Sequence, residues 1–117
     1  MQKVFVTYNL KPGVTLDQYV AWSKAVDQQI TPGERGVVRF EVYAIEGVIE
    51  GKQSYQIIED IEVVDRDTWV KSMTGPGMDY VRETFPIFAD AASMSMVYGT
   101  KIVAALPHGT RPDFPRP

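Results

Sequence analysis

The order in which apolar periodicity changes along the chain is its strongest constraint. Segments with strand-like and helix-like patterns follow one another as β-α-β-β-α-β, and few folds accept that order. Lys3 to Leu10 alternates Val4, Val6, Tyr8 and Leu10 against Phe5, Thr7 and Asn9, a strand with both faces partly buried. Val37 to Glu46 sets Val38, Phe40, Val42 and Ala44 against Arg39, Glu41, Tyr43 and Ile45. Ser54 to Val64 puts Tyr55, Ile57, Ile61 and Val63 on one side together with Glu59. The last strand is expected from Met94 to Val103, where small and sulfur-bearing residues suit a tightly packed interior.

Two helical regions separate these strands. Thr15, followed three residues later by Gln18, is a capping box opening the first. Its inner stripe is Leu16, Tyr19, Val20, Ser23, Val26 and Ile30, with Trp22 on the flank, and Thr31-Pro32-Gly33 closes it. The second region, Asp65 to Phe88, holds two helix starts. Asp65 caps a run with Trp69, Val70 and Met73 at helical spacing, and Gly75 is expected to end it in a left-handed conformation. Pro76 suits a first helical position, after which Met78, Val81, Phe85 and Phe88 form an apolar stripe. Pro86 is expected to kink this helix or end its first segment.

The order describes an α+β, ferredoxin-like β-α-β-β-α-β sandwich, an antiparallel sheet with both helices on one face. The other face needs a cover, and a second copy supplies one, so the expected assembly is a homodimer closing a dimeric α/β barrel. Residues 1–106 form this domain. Residues 107–117, PHGTRPDFPRP, hold four prolines and form a tail that is neither helix nor ladder strand.

At 117 residues and 44% hydrophobic content there is room for one core. A net charge of −3, spread along the chain, offers no basic stripe for nucleic acid. The absence of cysteine excludes disulfides and thiolate chemistry and permits a cytoplasmic location. No apolar run is long enough to span a membrane, and the opening decapeptide does not read as a signal sequence. Phosphate-loop, dinucleotide-binding, zinc-hydrolase and serine-hydrolase motifs are missing, and one histidine is a poor basis for a metal site, so no metal or cofactor is expected.

Chemistry therefore falls to scattered groups. His108, in the tail, has the ordinary pKa best suited to proton transfer near neutrality, provided the tail folds over the cleft between helices and sheet; otherwise the role passes to Glu59 or Tyr8. Charges within strands must be paired, solvated or shifted in pKa, and Arg39 is a candidate partner for Glu59. Tyr8 and Asn9 end the first strand at a potential pocket mouth. Trp22, Trp69, Phe85 and Phe88 are core residues or the lining of a site for a flat aromatic ligand.

The opening MQKVFVTYNLKPGVTLDQYVAWSK, with D-x-x-T-W-V, G-P-G-M and F-P-I-F-A-D further on, resembles the dimeric α/β-barrel superfamily and, more narrowly, the RedY-like (HapK) family associated with prodiginine and bisindole pigment pathways. The resemblance extends to about Val103. It implies a small dimer without metal or cofactor, acting on a planar indole- or pyrrole-containing intermediate by steering cyclisation or rearrangement of an imine or enamine. Related cofactor-independent and haem-degrading monooxygenases use a pocket asparagine and tryptophan, near whose positions Asn9 and Trp69 fall. The haem-degrading type also needs a histidine in the second helical region, and this sequence has none there. A non-catalytic carrier of the same intermediate is the remaining alternative.

Overall fold

The computed structural model describes residues 1–107, 109 and 111–117. Four strands, β1 (Gln2–Leu10), β2 (Val37–Ala44), β3 (Ile57–Val63) and β4 (Ala89–Gly99), form one antiparallel sheet in the order β2-β3-β1-β4. The helices are α1 (Leu16–Trp22), α2 (Gln28–Ile30), α3 (Arg66–Met73) and α4 (Asp79–Phe88). This is the ferredoxin-like α+β fold.

Alternation within the central strands gives the sheet two unlike faces. Val4, Val6 and Tyr8 of β1 and Ile57, Glu59, Ile61 and Val63 of β3 are all buried on the helix side. The register sets Val6 beside Glu59 and Glu59 beside Val42, so one row crosses three strands. On the opposite face, Phe5 pairs with Asp60 and Asp60 with Glu41. Among the described residues no helix covers that row.

Local signals start the helices where expected. Thr15 and Gln18 form the reciprocal capping box of α1, and the Asp65 side chain accepts the Thr68 N–H at 2.7 Å to cap α3. After Trp22 the first helix departs from regularity, passing through a π turn at Ser23–Asp27, then α2, then a 3₁₀ turn at Thr31–Gly33. The buried stripe also differs from the expected one within α1 itself. Leu16, expected inside, is exposed, whereas Trp22, expected on the flank, is buried.

Four expectations need correction. Gly75 is extended, with φ −82° and ψ 171°; a Cβ there would stand 3.0 Å from the Lys71 carbonyl oxygen, so close approach to the end of α3 explains the glycine better than handedness does. Pro86 does not end α4, which runs on to Phe88. Its missing N–H forfeits one helical bond, to the Arg82 carbonyl, and only two residues of the helix follow it. The final strand starts at Ala89 instead of Met94, and ends at Gly99 instead of Val103. An irregularity between Thr7 and Asn9 explains the hidden start: Ser93 Oγ accepts the Asn9 N–H at 2.8 Å and donates to the Asp90 carbonyl, which interrupts the alternation. In β2 a similar shift between Val37 and Arg39 takes Val38 out of the paired ladder and leaves it 48% exposed.

The described residues after Gly99 carry neither helix nor strand. Among the described residues no helix is long and apolar enough to cross a membrane.

Candidate functional site

Glu59 is an acidic side chain in the middle of a strand otherwise apolar on that face, and only 7% of its surface is exposed. Its Oε2 accepts the Tyr8 hydroxyl at 2.6 Å. The Tyr8 oxygen also meets the Tyr19 hydroxyl in a short hydrogen bond. Each phenol has one proton; with Tyr8 donating to Glu59, Tyr19 donates to Tyr8. Ser23, one turn on from Tyr19, accepts Gln28 Nε2 through its hydroxyl at 3.0 Å. A chain of donors thus runs from the first helical region to Glu59.

The π turn completes this arrangement. It opens at Ser23 and closes at Asp27, four residues on and on the same inward face, 2% and 3% exposed. Asp27 Oδ1 accepts the Thr31 hydroxyl at 2.6 Å, and the Asp27 and Glu59 carboxyls hydrogen-bond each other. Asp27 was missed by the sequence reading. The available signal was a carboxylate four residues after Ser23, itself on the predicted inner stripe.

Burial dominates the electrostatics. It pushes Glu59 from 4.5 up to about 8, helped by the neighbouring Asp27 charge. Asp27 is raised from 3.8 to about 6 by burial, with the Thr31 hydroxyl opposing the rise. Both phenols are pushed up, Tyr8 by burial and then by Glu59, Tyr19 chiefly by burial. At neutral pH the tyrosines are neutral donors, and the carboxyl pair retains a proton. Among the described residues no lysine or arginine forms an ion pair with either acid.

An aromatic cluster lies against the acids. The Tyr8 and Phe85 rings meet edge to face at 4.9 Å, Tyr19 and Trp22 are 5.8 Å apart, and Trp22 stacks on Phe88 at 5.8 Å. Trp22 Nε1 donates to Thr84 Oγ1 at 2.8 Å, which fixes its indole between α1 and α4.

Of the residues singled out from sequence, Tyr8, Glu59, Trp22 and Phe85 converge here. Asn9 follows Tyr8 at the strand irregularity, where its backbone N–H bonds Ser93. Trp69 is buried on α3 with its Nε1 unpartnered, and shares no ring contact with the cluster among the described residues. The Arg39–Glu59 pair does not form. Arg39 lies beyond the β2 irregularity beside Glu62 on the uncovered face, and contacts Glu41 at 3.0 Å and Glu62 at 3.4 Å. His108 lies outside the described residues. No group of three or more metal-ligating side chains occurs among the described residues. An open hollow bounded by Tyr43, Ile45, Val48 and Ile58 lies away from the acids.

Comparison with known proteins places the architecture. The family described as REDY-like protein HapK matches residues 2–102. The crystal structure of HapK from Hahella chejuensis is similar, with a TM-score of 0.71 and 20% identity over 93% of this chain and 100% of that one. A dimeric ferredoxin-like protein of unknown function from Thermobifida fusca gives 0.67 and 13%, covering 86% of this chain and 90% of that one. A crystal structure described as an antibiotic biosynthesis monooxygenase gives 0.65 and 13%, covering 88% and 100%. At these identities the structural likeness is one of fold. A search of curated proteins finds no match.

Proposed function

This chain belongs to the REDY-like HapK family, and from that premise we propose that it is a cofactor-independent enzyme of specialised metabolism which promotes cyclisation or rearrangement of an indole- or pyrrole-containing intermediate. The observation that carries the reading is Glu59: a carboxyl held protonated near neutrality by burial, bonded to Tyr8, beside an aromatic cluster of a size and flatness suited to a planar heterocycle.

The chemistry balances with this one acid. Glu59 transfers its proton to an imine nitrogen; the carboxyl O–H bond breaks, an N–H bond forms, and the iminium becomes electrophilic. An electron-rich indole or pyrrole carbon attacks the iminium carbon and closes the ring. The proton on the attacking carbon then returns to the Glu59 carboxylate, restoring the aromatic heterocycle and the acid. Tyr8 stabilises the intervening carboxylate through its hydrogen bond. The ion pair between iminium and carboxylate is strong because the site is buried and, among the described residues, no lysine or arginine pairs with Glu59. Trp22 and Phe85 orient the heterocycle, and α4 must move from α1 to admit it. Asn9 and Trp69 Nε1 are further substrate donors in this reading, and residues after Leu106, including His108, supply a second proton-transfer group.

We propose a homodimer. Exposed Tyr43 and Val97, together with Phe5, make the uncovered face unsuited to a monomer, and the relative from Thermobifida fusca is described as dimeric. A cytoplasmic location fits these traits.

The test supplies an indolic or pyrrolic imine to the purified protein and follows product by chromatography. Acceleration over buffer, retained without oxygen, supports the cyclase; binding without acceleration assigns a carrier. Strict oxygen dependence assigns the monooxygenase reading, favoured by the unpartnered Trp69 Nε1 and the fold likeness. Full activity in a protein ending at Leu106 removes His108 from the mechanism.

A further inference from the structure

Resting on the reading of Glu59 as the acid, we infer that Asp27 is a positioning residue: from the π turn it holds the shared proton on Glu59 and the Glu59 carboxyl in its working orientation. The geometry singles it out. Asp27 is buried on a helical region whose other inward residues bond phenols or pack, yet its carboxyl bonds directly to that of Glu59. Thr31 holds Asp27 Oδ1 and Tyr8 holds Glu59 Oε2, which leaves each carboxyl an oxygen for the other.

The surrounding groups decide which acid keeps the proton. Facing the pair are Tyr8 from β1, Tyr19 from α1, Ser23 from the π turn and Thr31 from the 3₁₀ turn, with Met78 Sδ beyond at 3.7 Å from the Thr31 hydroxyl. None is a cation. Two adjacent carboxylates in such a place cannot both ionise cheaply, so they share one negative charge near neutrality. Asp27 takes it, supported by the Thr31 donor, and Glu59 remains the acid. Ser23 and Asp27 lie four residues apart on one inward face of the π turn, which is what brings both to the phenols and the second acid.

Asp27→Asn removes the charge but keeps the size. Carbon-13 labelling of the glutamate and aspartate carboxyls in the full chain, followed by NMR from about pH 4 to about pH 10, reads the titration directly. The expected result is a Glu59 midpoint lower by at least ~1 pH unit in Asp27→Asn than in the parent. The alkaline limb of the pH–rate profile should move down with it, with turnover recovered at lower pH; loss of packing alone would lower turnover at every pH. Should Asp27→Asn not fold, Thr31→Val serves instead: loss of the hydroxyl donor should raise the lower of the pair's two titration steps by ~0.5 unit or more. A Glu59 midpoint unmoved in folded Asp27→Asn overturns the assignment, as does an unmoved lower step when only Thr31→Val folds. These titrations need no substrate. A protein that shows the shifts but never accelerates ring closure keeps the Asp27 assignment and loses the proposed function.

Discussion

Glu59 and Asp60 are adjacent carboxylates on one strand, and alternation sends them to opposite faces. Asp60 bonds the Lys3 ammonium at 2.6 Å on a partly exposed surface, each side chain about one quarter exposed. Glu59 faces two phenols and another acid under α1 and α4. The first charge is offset by a cation; the second is buried, meets no cation among the described residues, and is neutralised by a proton. Placement relative to the sheet therefore decides whether a carboxylate in this protein is an ion-pair partner or an acid suited to proton transfer.

The largest expected effect tests the reactive side of that contrast. Glu59→Gln preserves shape and removes the transferable proton, so ring closure should slow by ~10²–10⁴-fold, while Asp60→Asn should remain within about two-fold of the parent. Steady-state turnover of folded variants measures both, and equal losses would erase the distinction between the faces.

The uncovered face is tested by assembly. Phe5→Asp places a second negative charge beside Asp60 at the centre of the proposed interface and should weaken the dimer by about 100-fold, roughly 2.7 kcal/mol. Sedimentation equilibrium gives the constant. An unchanged constant would mean that this face does not carry the association.

A smaller effect follows from linkage. The folded pKa of Glu59 is raised from 4.5 to about 8, so the native state binds more protons than the unfolded chain across that window. The stability contribution is fully present below 4.5, declines as pH rises, and is lost above about 8; Asp27 adds a decline of the same sign between 3.8 and about 6. Thermal unfolding should therefore show a melting temperature falling by several degrees from the acid to the alkaline end. Glu59→Gln should flatten the curve. A parent profile that is already flat would contradict a protonated Glu59.

The smallest change is expected at the ion pair. Lys3→Ala removes a partly exposed partner and should cost less than ~1 kcal/mol in denaturant unfolding, with turnover unaffected. A larger loss would show that the Lys3–Asp60 pair is more than a solvated contact.

Much of this contrast was legible in the sequence, because strand alternation is local. It placed Tyr8 with Val4 and Val6, and Glu59 with Ile57 and Ile61; the structure agrees residue by residue. Helical spacing similarly identified Trp22 and Phe85 as aromatic side chains over the sheet, although it assigned Trp22 to the flank. The Arg39–Glu59 expectation failed for a different reason. Partners across a sheet depend on register, and the continuous β2–β3 register sets Val42 beside Glu59 and Arg39 beside Glu62, on the opposite face. The same applies to β4, whose first residues are paired through Ser93 and Asp90 and show no alternation.

By itself the sequence determined the element order, the caps at Thr15 and Asp65, and which side chains share a strand face, since each depends on neighbours a few residues apart. Tertiary structure decided that the first helix winds as a π turn at Ser23–Asp27, and that Asp27 meets Glu59 across the sheet–helix boundary. No local period distinguishes that winding from an α turn. The bonds that define the site join β1, β3 and two helical turns, and the desolvation that keeps Glu59 protonated exists only once all of them have closed over it.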